Sequence, residues 1–178
     1  KTIRYEQATG TDNSWMGKAI GIASTLGPGD DGEKDFQHVR NLLNDLDNST
    51  YTGKEEYFDG SQGGLDAEGD PVTADLITGI NQGAGVILYS GHGSTSSWAT
   101  GNLNRSALSN LQNAGKYPII WSVACETGNF VGYTCLAETW MRASDNSGEP
   151  LGAVAALMAS GTQTTHPPME GQDEMVSL

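Results

Sequence analysis

Two stretches decide the fold: Gly85-Val86-Ile87-Leu88-Tyr89-Ser90-Gly91-His92-Gly93 and Ile119-Ile120-Trp121-Ser122-Val123-Ala124-Cys125. Each is an apolar run of the length expected for a buried strand, and each ends on a chemically capable side chain. Between them, Leu108 and Leu111 mark a helix around Ser106 to Asn113, so the segment reads as strand, helix, strand, which is a parallel pair. In open α/β sheets the carboxyl ends of such strands are where sites are built. A thiol and an imidazole at neighbouring strand ends point to a cysteine nucleophile with its base.

The same alternation extends in both directions. Ala19-Ile20-Gly21-Ile22-Ala23 reads as a buried strand, followed by the turn-rich Gly27-Pro28-Gly29-Asp30-Asp31-Gly32. A helix should begin near Asp35 and bury Phe36, Val39, Leu42, Leu43 and Leu46, which share one face. Tyr51 to Phe58 is a more polar strand, and residues 59–71 form a Gly- and Asp-rich excursion. Thr73 is placed to cap a helix carrying Leu76, Ile77 and Ile80. Beyond Cys125 come a helix from about Cys135 to Ala143, a small-residue strand over Gly152 to Ala159, a Pro-containing loop and a helix starting at Gly171-Gln172. The pattern predicts one α/β domain over residues 1–178, with a mostly parallel sheet, right-handed crossovers and successive strands side by side.

Composition narrows the function classes. With 37% hydrophobic and 17% charged residues the 178-residue chain can bury an ordinary core, and no apolar run is long enough to span a bilayer. The net charge of −13, from 22 acidic against 9 basic residues, argues against nucleic acid and anionic lipid as partners. The same charge attracts cations, and it also keeps many secreted proteins soluble. The chain starts at Lys1 with no signal peptide and stops in a helix-forming segment, so the expectation is a processed or excised piece of a longer protein. Cys125 and Cys135 are either a disulfide or two free thiols, and spacing leaves both open.

A useful cysteine must be held as thiolate or have a base beside it, and His92 can serve. The amides of Gly93 and Cys125 can form an oxyanion hole, with glycines flanking His92 to admit a substrate backbone. On residues alone a structural reading stands beside this one. A Cys at a strand end is often a small hydrophobe, and Gly-His-Gly is common in turns.

Four blocks in order tip the balance. Tyr89-Ser90-Gly91-His92-Gly93-Ser94 with Trp98, Val123-Ala124-Cys125-Glu126-Thr127-Gly128-Asn129-Phe130, Cys135-Leu136-Ala137-Glu138 with Met141-Arg142-Ala143, and Pro168-Met169-Glu170-Gly171-Gln172-Asp173-Glu174-Met175 together resemble the gingipain family of secreted cysteine peptidases. The resemblance is strongest to the arginine-specific gingipains and spans nearly the whole chain. It implies a caspase-like three-layer α/β/α fold, a catalytic subdomain acting on polypeptides with basic P1 residues, Arg before Lys, and a secreted or cell-surface location. Other segments of the same precursor are implied partners. By the resemblance Cys125 is the nucleophile, His92 the general base and acid, and Asp35 the acidic floor of the S1 pocket, where a carboxylate would select a guanidinium. Asp35 is equally suited to cap its helix.

The chain departs from the pattern twice. Leu26 stands where the arginine-specific enzymes carry a Glu behind the His, and Thr165 stands at the aromatic lid that stacks on the P1 side chain, removing a cation-π contact. Both departures favour the rival reading, a catalytically silent surface or binding module. Met169 is expected either to line S1 or to fill core. His38 is expected on the polar side of its helix, His166 in a loop near the S1 wall, and Glu138 in a helix-surface or packing role. The chemistry needs no cofactor. Structural Ca²⁺, which the family binds, has candidate oxygen ligands in Asp30-Asp31 and the Asp59 to Asp70 loop, though neither has an EF-hand register.

Overall fold

A computed structural model describes residues 1–7 and 13–177. The elements in chain order are α1 (Thr2–Glu6), β1 (Lys18–Ala23), α2 (Asp35–Asp47), β2 (Gly53–Phe58), α3 (Thr73–Gln82), β3 (Val86–Ser90), β4 (Gly93–Ser94), β5 (Ser97–Trp98), β6 (Ile119–Val123), α4 (Leu136–Arg142), β7 (Ala155–Met158) and α5 (His166–Val176). Five strands form one sheet in the order β2-β1-β3-β6-β7, every pair parallel. β4 and β5 are a separate antiparallel hairpin.

The period of two along the central strands sorts their side chains into two cores. Ile20, Ile22, Ile87, Tyr89 and Ile120 face α3 and α4, packing with Leu76, Ile80, Leu136 and Trp140. Ala19, Ala23, Val86 and Leu88 face α2, packing with Val39, Leu42, Leu43 and Leu46, and α5 adds Met175 and Val176. The result is the expected three-layer α/β/α arrangement. Gly21 sits under α2 because any Cβ there would lie 2.6 Å from Val39 Cγ1 and 2.7 Å from Leu43 Cδ1.

Helix starts are closed by side chains three residues in. Gln37, Asp75 and Glu138 accept from the backbone amides of Lys34, Val72 and Cys135 at 2.9, 2.9 and 3.0 Å, satisfying donors that a helix start leaves unpaired. Thr73 is therefore not the cap. Its hydroxyl donates instead to Gly101 O at 2.8 Å. Glu138 has a definite role, closing α4.

Three expectations are corrected. The strands are not laid side by side in chain order, since β1 lies between β2 and β3. The helix around Ser106 to Asn113 is only a short 3₁₀ turn, Ala107–Asn110, because Asn104 ties its start through its own side chain and Asn113 is drawn into the core. Asn113 there pairs with Gly152 in both directions, at 2.9 and 2.8 Å. The last helix begins five residues early, with Pro167 and Pro168 in its first turn, where a missing N–H costs nothing.

Candidate active site

Register places His92 and Cys125 together. β3 and β6 pair Ser90 with Val123, and Gly91 N donates to Val123 O at 3.1 Å, so each residue leaves the sheet two positions beyond the same locked pair. Tyr89 fixes the His92 segment from beneath. Its ring stacks on Trp98 at 4.5 Å with a 6° interplanar angle, and its hydroxyl donates to His92 O at 2.7 Å. Burial pushes the Tyr89 phenol up, so it remains a protonated donor. Trp98 anchors the β4–β5 hairpin to β6 through Nε1 to Ser122 Oγ at 2.9 Å.

Beyond Cys125 the chain turns sharply. Glu126 is left-handed at φ 59°, a conformation unusual for a side-chain-bearing residue and frequent at functional sites. The turn is held by Glu126 N to Gly161 O at 3.0 Å, Gly128 N to Ala159 O at 2.8 Å and Asn129 N to Glu126 O at 2.9 Å. Cys125 is half-buried, with its thiol 3.6 Å from Gln163 O. Cys125 and Cys135 are both free thiols, Cys135 being buried.

Neither the Gly93 nor the Cys125 amide is used in a backbone hydrogen bond among the described residues. Trp98 N donates to Leu103 O at 2.9 Å, away from β4, so Gly93 and Trp98 are a non-hydrogen-bonded pair and the Gly93 amide faces away from β5. Gly93 needs its missing side chain, because a Cβ would sit 2.8 Å from Ala124 Cβ and 3.0 Å from Cys125 O. The Cys125 amide has no internal acceptor among the described residues.

A pocket of about 140 Å³ opens beside these residues, lined by Leu26, Asp35, Gly91, His92, Val123, Ala124, Cys125 and Gln163 to Thr165. A larger, more open pocket of about 530 Å³ runs along β2 and the residue 65–71 loop, but neither Cys nor His lines it. The small volume lies below the roughly 300 Å³ of typical small-molecule sites and suits a single side chain.

Asp35 lies within this pocket and is 1% exposed. It is the first residue of α2, with Lys34 in the capping position, so its carboxylate is not used as a cap. Ser24 donates to Oδ2 in a short hydrogen bond, and Ser90 donates to Oδ1 at 3.1 Å. Burial raises its pKa, opposed by the two serines and by the nearby charges of His38 and His92. Among the described residues no Lys or Arg pairs with this carboxylate, whose hydrogen-bond donors are the two serine hydroxyls.

The profile of Peptidase family C25 matches residues 1–177. The chain belongs to that family. It is 34% identical to gingipain R2 of Porphyromonas gingivalis, over 98% of this chain and 23% of that protein. The crystal structure of the Arg specific cysteine proteinase gingipain R superposes with a TM-score of 0.90 at 35% identity, covering 99% of this chain and 39% of that one. A complex of pro- and mature domains of Porphyromonas gingivalis gingipain matches equally well, with a TM-score of 0.90 at 34% identity over 99% of this chain and 40% of that one. The chain thus spans less than half the length of these C25 relatives.

The remaining residues singled out by the sequence divide between the core, the pocket rim and the helix ends. Met169 is fully buried and is not among the pocket-lining residues. Its thioether fills the space above Gly29, where a Cβ would come within 2.4 Å of Sδ. Thr165 does line the pocket. His166 opens α5 and approaches Asp30 Oδ1 at 3.1 Å. His38 is 1% exposed rather than on a polar surface, because α5 lies across α2 and covers it. Its Nε2–H donates to Gln172 Oε1 at 3.1 Å, and Gln172 Nε2 donates to Trp121 O at 3.3 Å. Gln172 is the structural residue that periodicity missed: a buried amide joining α2, α5 and β6.

Leu26 borders the pocket with its side chain 45% exposed, and no described residue hydrogen-bonds the His92 ring. In the Asp59 to Asp70 loop, carboxylates accept from the loop's own backbone, whereas Asp30 Oδ2 is buried without a hydrogen-bond partner among the described residues. Asp66 accepts from Phe58 N and Gln62 N, both at 2.9 Å, and Asp70 from Gly60 N at 2.7 Å. Among the described residues no three His, Cys, Asp or Glu side chains are grouped as a metal site. No described helix is long and apolar enough to cross a membrane.

Proposed function

We propose that this chain carries the catalytic site of a secreted cysteine endopeptidase that cleaves after basic residues, Arg before Lys. The observation that carries the reading is Asp35, a buried carboxylate with no Lys or Arg partner among the described residues, in a pocket shared by Cys125 and His92. In the forward direction His92 takes the Cys125 proton and Sγ attacks the scissile carbonyl. The oxyanion accepts from the amides of Gly93 and Cys125. As the tetrahedral intermediate collapses, His92 returns the proton to the leaving amine, and a thioester remains on Cys125. Water, deprotonated by His92, then releases the acid and restores the thiol.

Specificity follows from charge. A P1 guanidinium can meet Asp35 with two parallel hydrogen bonds, whereas an ammonium offers a point charge. Thr165 adds no aromatic face above it, so the preference for Arg over Lys rests on this carboxylate. Segments of the precursor beyond this chain are proposed to complete the cleft, as is a pro-domain partner by analogy with the relative's complex.

The experiment is hydrolysis of matched fluorogenic peptides with Arg, Lys or Ala at P1 by the longest foldable protein. Arg cleavage should vanish in Cys125→Ala. A second reading, a catalytically silent module, is favoured by the unpartnered His92 ring and by Leu26. Absence of turnover in the unmodified protein would establish that reading instead.

A further inference from the structure

The loop between Cys125 and α4 carries three large apolar side chains outward. Phe130, Val131 and Tyr133 are 66%, 73% and 71% exposed, an unusual local concentration for a soluble surface. The base of the loop is fixed. Leu136 N donates to Thr95 O at 2.8 Å, Ala137 N to Thr127 O at 3.0 Å, and Arg105 reaches Thr134 O. Between this loop and the hairpin tip lies a groove of about 290 Å³, lined by Thr95, Ser96, Arg105, Tyr133 and Thr134.

The layers give this groove a direction. Asp35 and Ser90 lie on the α2 side of the sheet, so a P1 side chain enters there. Trp98, and with it the β4–β5 hairpin, packs into the opposite core beside α3 and α4. A leaving amine must pass His92 to collect its proton, and the hairpin that continues from His92 lies on that opposite side. The chain following the scissile bond therefore runs toward the hairpin and the Phe130 to Tyr133 loop.

We infer that Phe130, Val131 and Tyr133, with the groove behind Tyr133, form the primed subsite, which binds the polypeptide on the carboxyl side of the cut and prefers apolar residues there. The inference rests on Cys125 and His92 being nucleophile and base. It adds a second determinant, independent of the charge at P1: a basic residue followed by apolar ones is the favoured sequence.

The test uses the full-length protein and the double variant Phe130→Ser/Tyr133→Ser, both sites being exposed enough to change without unfolding. Internally quenched peptides share an Arg at P1 and carry Leu-Val or Asp-Asp next. A short Arg methyl ester, which places only a methoxy group on the primed side, serves as control. The wild type should prefer Leu-Val, the variant should lose about tenfold of that preference in kcat/KM, and the short substrate should be unaffected. An identical preference in both proteins, or a parallel fall with the short substrate, overturns the inference. So does a lowered thermal midpoint in the variant with no change in preference, which would mean that another part of the protein covers the patch. Should no peptide be cleaved, the catalytic reading fails, and the subsite is judged by calorimetry of a Leu-Val-initiated peptide on Cys125→Ala protein. Binding weakened by the double substitution then retains the subsite, and binding unchanged by it, or absent from the parent, removes it.

Discussion

Replacing Asp35 by Asn changes one charge at nearly constant shape, and the structure gives the consequence for both binding and stability. The carboxylate is 1% exposed and receives hydroxyl hydrogen bonds from Ser24 and Ser90. In the proposed complex it also meets the P1 guanidinium, and a hydrogen bond to a charged group contributes about 1.5–3 kcal/mol. Loss of two such bonds, partly offset by the Asn carbonyl, should lower kcat/KM for P1 Arg by about 3 kcal/mol, or roughly a hundredfold. P1 Ala substrates should change by less than about threefold. Stability should move the other way. Burial raises the Asp35 pKa in the folded state, so its protonated form is the better accommodated one. Stability from this group is fully present below the unfolded carboxyl pKa and is lost as pH rises through the raised folded value. Asn removes that loss, at the cost of turning one serine hydroxyl from donor to acceptor. The variant should therefore melt at or above the wild-type temperature near neutral pH and lose the corresponding acid-side slope. The assay pairs P1 profiling with thermal melts from pH 4 to about 8. Equal losses for Arg and Ala substrates, or a variant that melts well below wild type, would refute the assignment.

Other perturbations test how the site is held. Gln172→Ala removes a buried amide that joins His38 to Trp121 O, and should cost about 1–3 kcal/mol, seen as a fall of roughly 2–10 °C in thermal midpoint. Gly93→Ala forces a methyl to within 2.7 Å of Thr127 Cγ2 and 2.8 Å of Ala124 Cβ. Such overpacking costs about 1–3 kcal/mol, and because it shifts the hairpin against Cys125 it should depress kcat by more than the stability loss explains. Glu138→Ala uncovers the Cys135 amide at the start of α4, and chemical denaturation should show a loss of about 0.5–2 kcal/mol with P1 selectivity intact.

The strand ends were the most legible part of the chain, because buried parallel strands announce themselves as continuous apolar runs. Val86 to Leu88 and Ile119 to Val123 did so, and the side chains that follow them necessarily meet at one sheet edge. The face of α2 was legible for the same reason: Val39, Leu42, Leu43 and Leu46 are all buried. Strand order was not, since nothing in Gly53–Phe58 states which side of β1 it joins. His38 and Gln172 escaped because their burial is produced by the packing of α5 on α2, a contact between distant segments that no local period reports. Met169, left open between S1 lining and core filling, takes a buried place that its own segment does not specify. A thioether follows whatever gap is present, and the gap is supplied by Gly29. The departures at Leu26 and Thr165 were visible, and both residues border the pocket, but their effect on rate is a matter for measurement.

The most direct measurement of the central claim is intact-mass analysis after exposure to a peptide electrophile with Arg at P1, beside its Ala counterpart. Cys125 is half-exposed at the pocket and Cys135 is buried, so chemistry and access point to the same thiol. The account predicts a single adduct, on Cys125, formed much faster with the Arg reagent and slowed by Asp35→Asn. Labelling at equal rates with both reagents, or no labelling of Cys125, would contradict it.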